Sequence, residues 1–469
     1  MKTPLLRLPA ALLFVVLAAC RSIDTAPPPV ELPPSTIESV PGIDRWWTQF
    51  KDPKLNALID ESLAANLDLG IAVGRIEEAR ANLAIVRSNL YPTVDAYGNA
   101  DRSRRSDATA TRFPGQLVNN NYGAGLRAAY EVDLWGRLSS SADAAASTLL
   151  ATRYNAETVR TVLAAQVATT YFTLLALDAE LQISRDTLAT RVESVKLQRM
   201  RFDAGLIGEF DLRLAEGERA SVAASIPPLE RAIAQTEAAL AVLAGRSARS
   251  VFTPVIARGS DLQTTAAPEV PAGLPSDVLA RRPDVRQSEA QLAAASARIN
   301  EARAQYFPAL TLTGLYGSES ADLSNLFSGP ALVWSVAGSL FQPVFAAGRI
   351  SAQVDAATAR KQQVELIYVQ TVQSAFRDAH DALIAHRSAR ESYVLQEERR
   401  EQFARALTLA DARYRSGYVS FIDVLDTQRN LLEAERQRVL ALRARQVALV
   451  DLYKALGGGW SPEQFANAQ

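Results

Sequence analysis

Cysteine and histidine are nearly missing from this chain: one Cys and two His stand among 469 residues. A structural zinc site, a disulfide framework and an iron–sulfur cluster all need more ligands than that. His380 and His386 lie six apart, which on a helix turns them about 120° from each other and off a shared metal-binding face. No metal and no other cofactor is expected. Excess charge of one sign is also missing, with 50 Lys and Arg against 51 Asp and Glu, so no field exists to hold nucleic acid. Glycine-rich phosphate loops, nucleophile elbows and zinc-protease motifs do not occur, so no catalytic residue is assigned and an enzyme is not expected. The apolar run from Leu8 to Leu17 falls short of the roughly 20 residues a membrane-spanning helix needs.

That short run is informative for another reason. Lys2 and Arg7 precede it, the layout of a secretory signal over residues 1–19. It ends Leu17-Ala18-Ala19-Cys20, which resembles the bacterial lipoprotein processing box, so Cys20 is the expected lipidation site. Arg21 follows where lipoproteins kept at the inner membrane usually carry Asp; by that resemblance the destination is the outer membrane, anchored in its lipid through Cys20. Residues 20–43 hold Pro27-Pro28-Pro29 and Pro33-Pro34 and read as an extended tether.

The rest of the chain is written twice. Arg201-Phe202-Asp203-Ala204-Gly205, leading to Asp211, is echoed 212 positions on by Arg413-Tyr414-Arg415-Ser416-Gly417, leading to Asp423. Gly136-Arg137 returns at the same offset as Gly348-Arg349, and Tyr91-Pro92 matches Phe307-Pro308. Ordered matches of this kind mark two structural copies, 44–250 and 275–469, joined by a linker over 251–274. Each copy reads as helix, two strands, then a long helical hairpin. The helices over 68–90 and 284–306 stop before the prolines. Strand expectations are 92–101, 122–135, 307–317 and 331–345. From Tyr122 the chain alternates, with Leu126, Ala128, Tyr130 and Val132 on one face and Arg127, Ala129 and Glu131 on the other. The hairpins run over 137–245 and 348–456, turning at Gly205 and Gly417. A helix of some 65 residues measures roughly 95 Å, so the expected chain is elongated. Pro227-Pro228 are expected to break the first return helix, which Val439 and Leu440 do not do in the second.

Alternation alone does not separate a soluble sheet from a membrane barrel wall. An exported chain with no spanning helix has only a closed barrel left if it spans. Four strands do not close, because the smallest such barrels use about eight, so several chains must each donate four. Strand 122–134 would be about 43 Å long and would rise about 33 Å at a tilt of about 40°, enough for the hydrocarbon layer. Trp135 and Trp334 near strand ends suit membrane interfaces. The segments 101–121 and 318–331 would be external loops.

Several motifs now stand in one order: the Cys20 box, Trp46-Trp47, Tyr91-Pro92 and Phe307-Pro308, Glu131-Val132-Asp133-Leu134-Trp135-Gly136-Arg137, Arg281-Arg282-Pro283-Asp284-Val285, and Tyr414-Arg415-Ser416-Gly417 running on to Asp423 and Asp426. In that order the chain resembles the TolC-like outer membrane efflux proteins, in particular the OprM-like or NodT-type lipoproteins. The resemblance implies a mainly α fold with a membrane β-barrel part: a homotrimer in which a 12-stranded barrel continues into a 12-helix periplasmic tunnel. It also implies a passive conduit joined by a periplasmic adaptor to an inner-membrane pump, of the RND type for drug-like cargo.

The same resemblance puts an aspartate ring closing the inner mouth on Asp423 and Asp426. Asp423 also fits a helix start, with an acidic residue in the first turn after Ser420. Asp426 matches Leu214 in the other copy, so a duplicated cap does not account for it. Arg201 and Arg413 are candidates to pair with these carboxylates or to latch neighbouring hairpins, with a solvated surface as the plain alternative. Gly205 and Gly417 permit the tip turns and by resemblance dock onto the adaptor. Arg281-Arg282 reads as a surface feature or an intrachain salt bridge. Two other functions share these features: a conduit for type I protein secretion or metal-ion export, and a non-conducting lipid-anchored coiled-coil scaffold.

Overall fold

The structure is a computed structural model; it describes residues 43–106, 117–259 and 281–461, with 28, 108, 261–263, 265 and 268 besides. The signal, Cys20, most of the tether and part of the inter-copy linker lie outside the described residues. A 3-10 turn, Ile43–Phe50, leads to helices α1 (Pro53–Ala65) and α2 (Leu67–Ser88) and strands β1 (Thr93–Arg104) and β2 (Val118–Val132). The hairpin α3 (Arg137–Asp203) and α4 (Glu209–Leu243) follows. The second copy supplies α5 (Pro283–Ala304), β3 (Ala309–Ser320), β4 (Leu332–Phe341), α6 (Arg349–Arg415) and α7 (Phe421–Ala455). The chain divides into two compact units, one built on Arg75–Thr152 and Gln287–Val369, the other on Val30–Gly74, Arg153–Arg286 and Gln370–Gln469.

The first unit holds one antiparallel sheet in the order β1-β2-β3-β4, so β1 and β4 are unpaired edges. Its register carries the alternation of β2 across all four strands. Ala96, Leu126, Tyr316 and Trp334 form one cross-strand row, and Val94, Ala128, Gly314 and Val336 the next. The opposite face carries the row Thr93, Ala129, Thr313 and Ala337. There the Arg127 guanidinium lies 4.3 Å over the Tyr97 ring, and Asn121 donates to Glu319 at 2.7 Å. Trp334, Val336 and Leu340 are exposed despite their size. β1 and β2 pair further than the alternation suggested, through Arg104↔Val118, because backbone pairing tolerates polar side chains once a hairpin is in register. At the other end, Trp135 stacks on Phe307 at 4.8 Å and donates Nε1–H to the Pro308 carbonyl at 2.8 Å.

The second unit is held by an aromatic and aliphatic core in which Trp46, Trp47, Phe50, Tyr171, Phe172 and Leu449 are almost fully buried. Trp46 stacks on Tyr453 at 5.8 Å. One stretch of α3 is long and apolar enough to cross a membrane, by length and composition; the helix also supplies Val167, Ala168, Tyr171, Phe172, Leu174 and Leu175 to that core. Asp52 caps α1 by accepting from the Lys54 and Leu55 amides, and it also accepts from the Tyr171 hydroxyl at 2.9 Å. Arg282 is nearly buried, donating to Asp284 at 2.7 Å and to the Ala455 carbonyl at 3.1 Å. The basic pair therefore includes an intrachain salt bridge. It borders a cavity of about 530 Å³ also lined by Asp381, Asp451 and Lys454.

One expectation fails here. Pro227 and Pro228 lie inside α4 and do not end it. The prolines remove two amide donors, yet the helix continues to Leu243, and side-chain bonds form just before them. Ser225 Oγ bonds back to the Val222 carbonyl at 2.8 Å, and Arg436 of α7 donates to Ser225 Oγ at 3.1 Å.

Candidate functional site

The two hairpin tips, both in the second unit, are built from the same chemistry. In the first, the Leu206 amide donates to the Arg201 carbonyl and the Gly205 amide to the Phe202 carbonyl, both at 2.8 Å. In the second, the Tyr418 amide donates to Arg413 at 2.9 Å and the Gly417 amide to Tyr414 at 3.0 Å. This is the Schellman closure, which needs a left-handed residue at the penultimate position. Gly205 and Gly417 supply it, with φ of +70° and +77°, where any Cβ would be strained. Leu206, Phe210 and Tyr418 are left largely exposed around these turns.

The return helices start differently. Ser420 precedes α7, and its amide and hydroxyl both donate to Asp423 Oδ2, at 2.9 and 2.7 Å. Those bonds hold the Asp423 carboxyl below its ordinary pKa. A depressed carboxyl supports folding above its unfolded pKa, so this cap is intact at neutral pH and is lost as pH falls through the lowered value. Gly208 occupies the matching position before α4, and Asp211 makes no such bond among the described residues. The Asp423 carboxylate is thus engaged in a cap that its repeat partner does not form among the described residues.

Asp426 is exposed and accepts only from Asn430 Nδ2, at 3.2 Å, among the described residues. Arg201 does not reach either aspartate. Its Nη1 donates to the Tyr414 hydroxyl at 2.6 Å, with the guanidinium 5.1 Å from the ring centroid, and Gln198 Nε2 donates to the same oxygen at 3.1 Å. The Tyr414 ring leans on Phe421 at 5.6 Å, and Phe421 belongs to a small buried cluster with Ala215 and Leu425. One phenol therefore ties α3 to the end of α6. Arg413 is exposed and makes no side-chain bond among the described residues.

Against known proteins, the family profile described as outer membrane efflux protein matches residues 58–246 and 274–458. The chain belongs to the outer membrane efflux protein family. The solvent efflux pump outer membrane protein SrpC of Pseudomonas putida is 37% identical over 88% of this chain and 87% of its own. The cation efflux system protein CusC of Escherichia coli is 34% identical over 88% of each chain. Among solved structures, the MtrE outer membrane channel of Neisseria gonorrhoeae superposes with a TM-score of 0.81 at 33% identity, covering 93% of this chain and 99% of that one.

In this efflux protein, the tips bring together Arg201, Gly205, Gly417, Asp423 and Asp426 on one set of hairpin ends. They do not pair Arg201 or Arg413 with Asp423 or Asp426 among the described residues. Sequence reasoning passed over Gln198 and Tyr414 as partners. A signal was present: the tip motif is Arg-Phe in the first copy and Arg-Tyr in the second, and only the second ring carries a hydroxyl.

Proposed function

We propose that this efflux protein is the passive outer-membrane conduit of a tripartite export system for small molecules, working as a homotrimer. The observation that carries this reading is the open amphipathic sheet: four strands, two unpaired edges and one face of exposed Leu, Val, Tyr and Trp. Such edges are an aggregation hazard unless paired. Three copies give twelve strands, enough to close a barrel with the apolar face in lipid and the Thr93–Ala129 face in the lumen. Cys20 would carry the acyl chains that hold the assembly to the outer membrane.

The tips form the periplasmic mouth. Exposed Leu206 and Tyr418 beside Gly205 and Gly417 suit docking of a periplasmic adaptor, which links the conduit to an inner-membrane pump of the RND type. Cargo is chosen by that pump, in keeping with relatives named for solvent and for cation efflux. No reaction is catalysed. Asp426, exposed and outside the Ser420 cap, is the carboxylate suited to a threefold ring at the mouth, and the Arg201–Tyr414 bond is the latch that keeps each hairpin pair closed.

Planar-bilayer recording tests both roles. Wild-type protein should conduct in small, infrequent steps. Tyr414→Phe removes the acceptor from a charged hydrogen bond worth about 1.5 to 3 kcal/mol, and Asp426→Ala removes the ring; each should raise basal conductance severalfold. A trimer of normal stability with unchanged conductance in both variants would reject the gate, and a wild-type trimer that never conducts would support the scaffold instead. For the anchor, Cys20→Ser should abolish palmitate labelling while trimers still form, because barrel burial far exceeds the roughly 0.8 kcal/mol that each buried methylene contributes. Loss of the trimer in that variant would show that assembly depends on the lipid.

A further inference from the structure

Arg191, on α3 about three turns before the tip, is 3% exposed. Its Nε is buried without a hydrogen-bond partner, and no hydrogen bond or ion pair reaches its side chain among the described residues. Glu218, whose charge acts on Arg191, is held by Arg429 through two guanidinium nitrogens. A guanidinium does not lose its proton in a protein, and with Glu218 already engaged by Arg429 the buried Nε–H of Arg191 has no acceptor among the described residues. That donor is open to a ligand.

The space for a ligand exists. Arg191 lines a cavity of about 270 Å³ between α3, α6 and α7, with Asp186, Thr187, Thr190, Gln428 and Glu435 on its walls. Gln428 Oε1 is a second buried polar atom there with no partner, and its amide can rotate to present the NH2 group instead. The Thr187 hydroxyl makes no bond among the described residues, while that of Thr190 donates to the Asp186 carbonyl. The two acids do not close the site against an anion. Asp186 is exposed and accepts from Gln182 at 2.9 Å. Burial, the largest influence on Glu435, raises its pKa, and the nearby charges of Arg400 and Arg438 offset its carboxylate charge.

We propose that this cavity is a binding site for a small monovalent anion, a halide or a small carboxylate, held by Arg191 with the Gln428 amide and the Thr187 hydroxyl. The site contains neither Asp423 nor Asp426 and does not depend on the conduit reading.

The test uses the full-length protein as purified, with bromide as the probe. Crystals grown in sodium bromide should show an anomalous peak beside Arg191, and bromide should raise the thermal unfolding midpoint in a saturable way. Arg191→Met should remove the peak and the bromide dependence. Gln428→Leu, which leaves the charge in place, should weaken apparent bromide affinity at least tenfold and serves if the first variant fails to assemble. Water alone, or a side chain of a second copy, against Arg191 at saturating bromide would overturn the proposal, as would equal bromide affinity in wild type and Gln428→Leu.

Discussion

Ala128→Arg is expected to leave almost no assembled protein in the outer membrane, whereas Ala129→Arg, one residue along the same strand, is expected to assemble nearly normally. The two alanines differ only in the face they occupy. Ala128 sits in the row with Val94, Gly314 and Val336, and Ala129 in the row with Thr93, Thr313 and Ala337. An arginine on the lipid side of a barrel near its middle costs about 2 to 4 kcal/mol, while lumen substitutions are tolerated. A wall made from three copies carries that cost three times, which exceeds a large part of ordinary protein stability of about 5 to 15 kcal/mol. Heat-modifiable trimer in isolated outer membranes measures the outcome. Equal assembly of the two variants would mean that neither face meets lipid.

Arg282→Met is expected to lower unfolding stability by about 3 kcal/mol, toward the lower end for breaking a buried ion pair because its acids are partly hydrated. The arginine is 11% exposed and binds Asp284, Asp378 and the Ala455 carbonyl, while Asp284 and Asp378 are 31% and 41% exposed. Arg80→Ala breaks the Glu77 pair, whose members are both more than half exposed, and should cost no more than about 0.5 kcal/mol. Denaturant midpoints of the purified variants decide this. Similar losses would show that the Arg282 network contributes no more than a surface pair.

Periodicity made much of this fold readable before any coordinates. A residue's parity in a strand fixes its face, so Leu126, Ala128 and Tyr130 were separable from Arg127 and Ala129. The prolines after Tyr91 and Phe307 likewise announced where helix gives way to strand. What the sequence hid depends on distant partners. Pro227-Pro228 look like a break, yet the helix runs through them, and beside them Ser225 accepts from Arg436, 211 residues away. The same holds at the tips. Asp423 has its cap partner three residues away and was legible as a helix start, but the phenol that receives Arg201 lies 213 residues off. Arg191 reads as one more helix charge, since its isolation exists only where three helices enclose it.

In a closed three-copy wall, edge strand β1 of one copy meets edge strand β4 of the next. Single cysteines placed in β1 at Ala96, and in turn along β4 from Val333 to Leu340, allow oxidative cross-linking of the full-length protein in outer membranes. The account predicts, at the positions in register, a ladder of covalent species that stops at three copies. Cross-links confined within one chain, in a membrane-inserted particle of one copy, would contradict it.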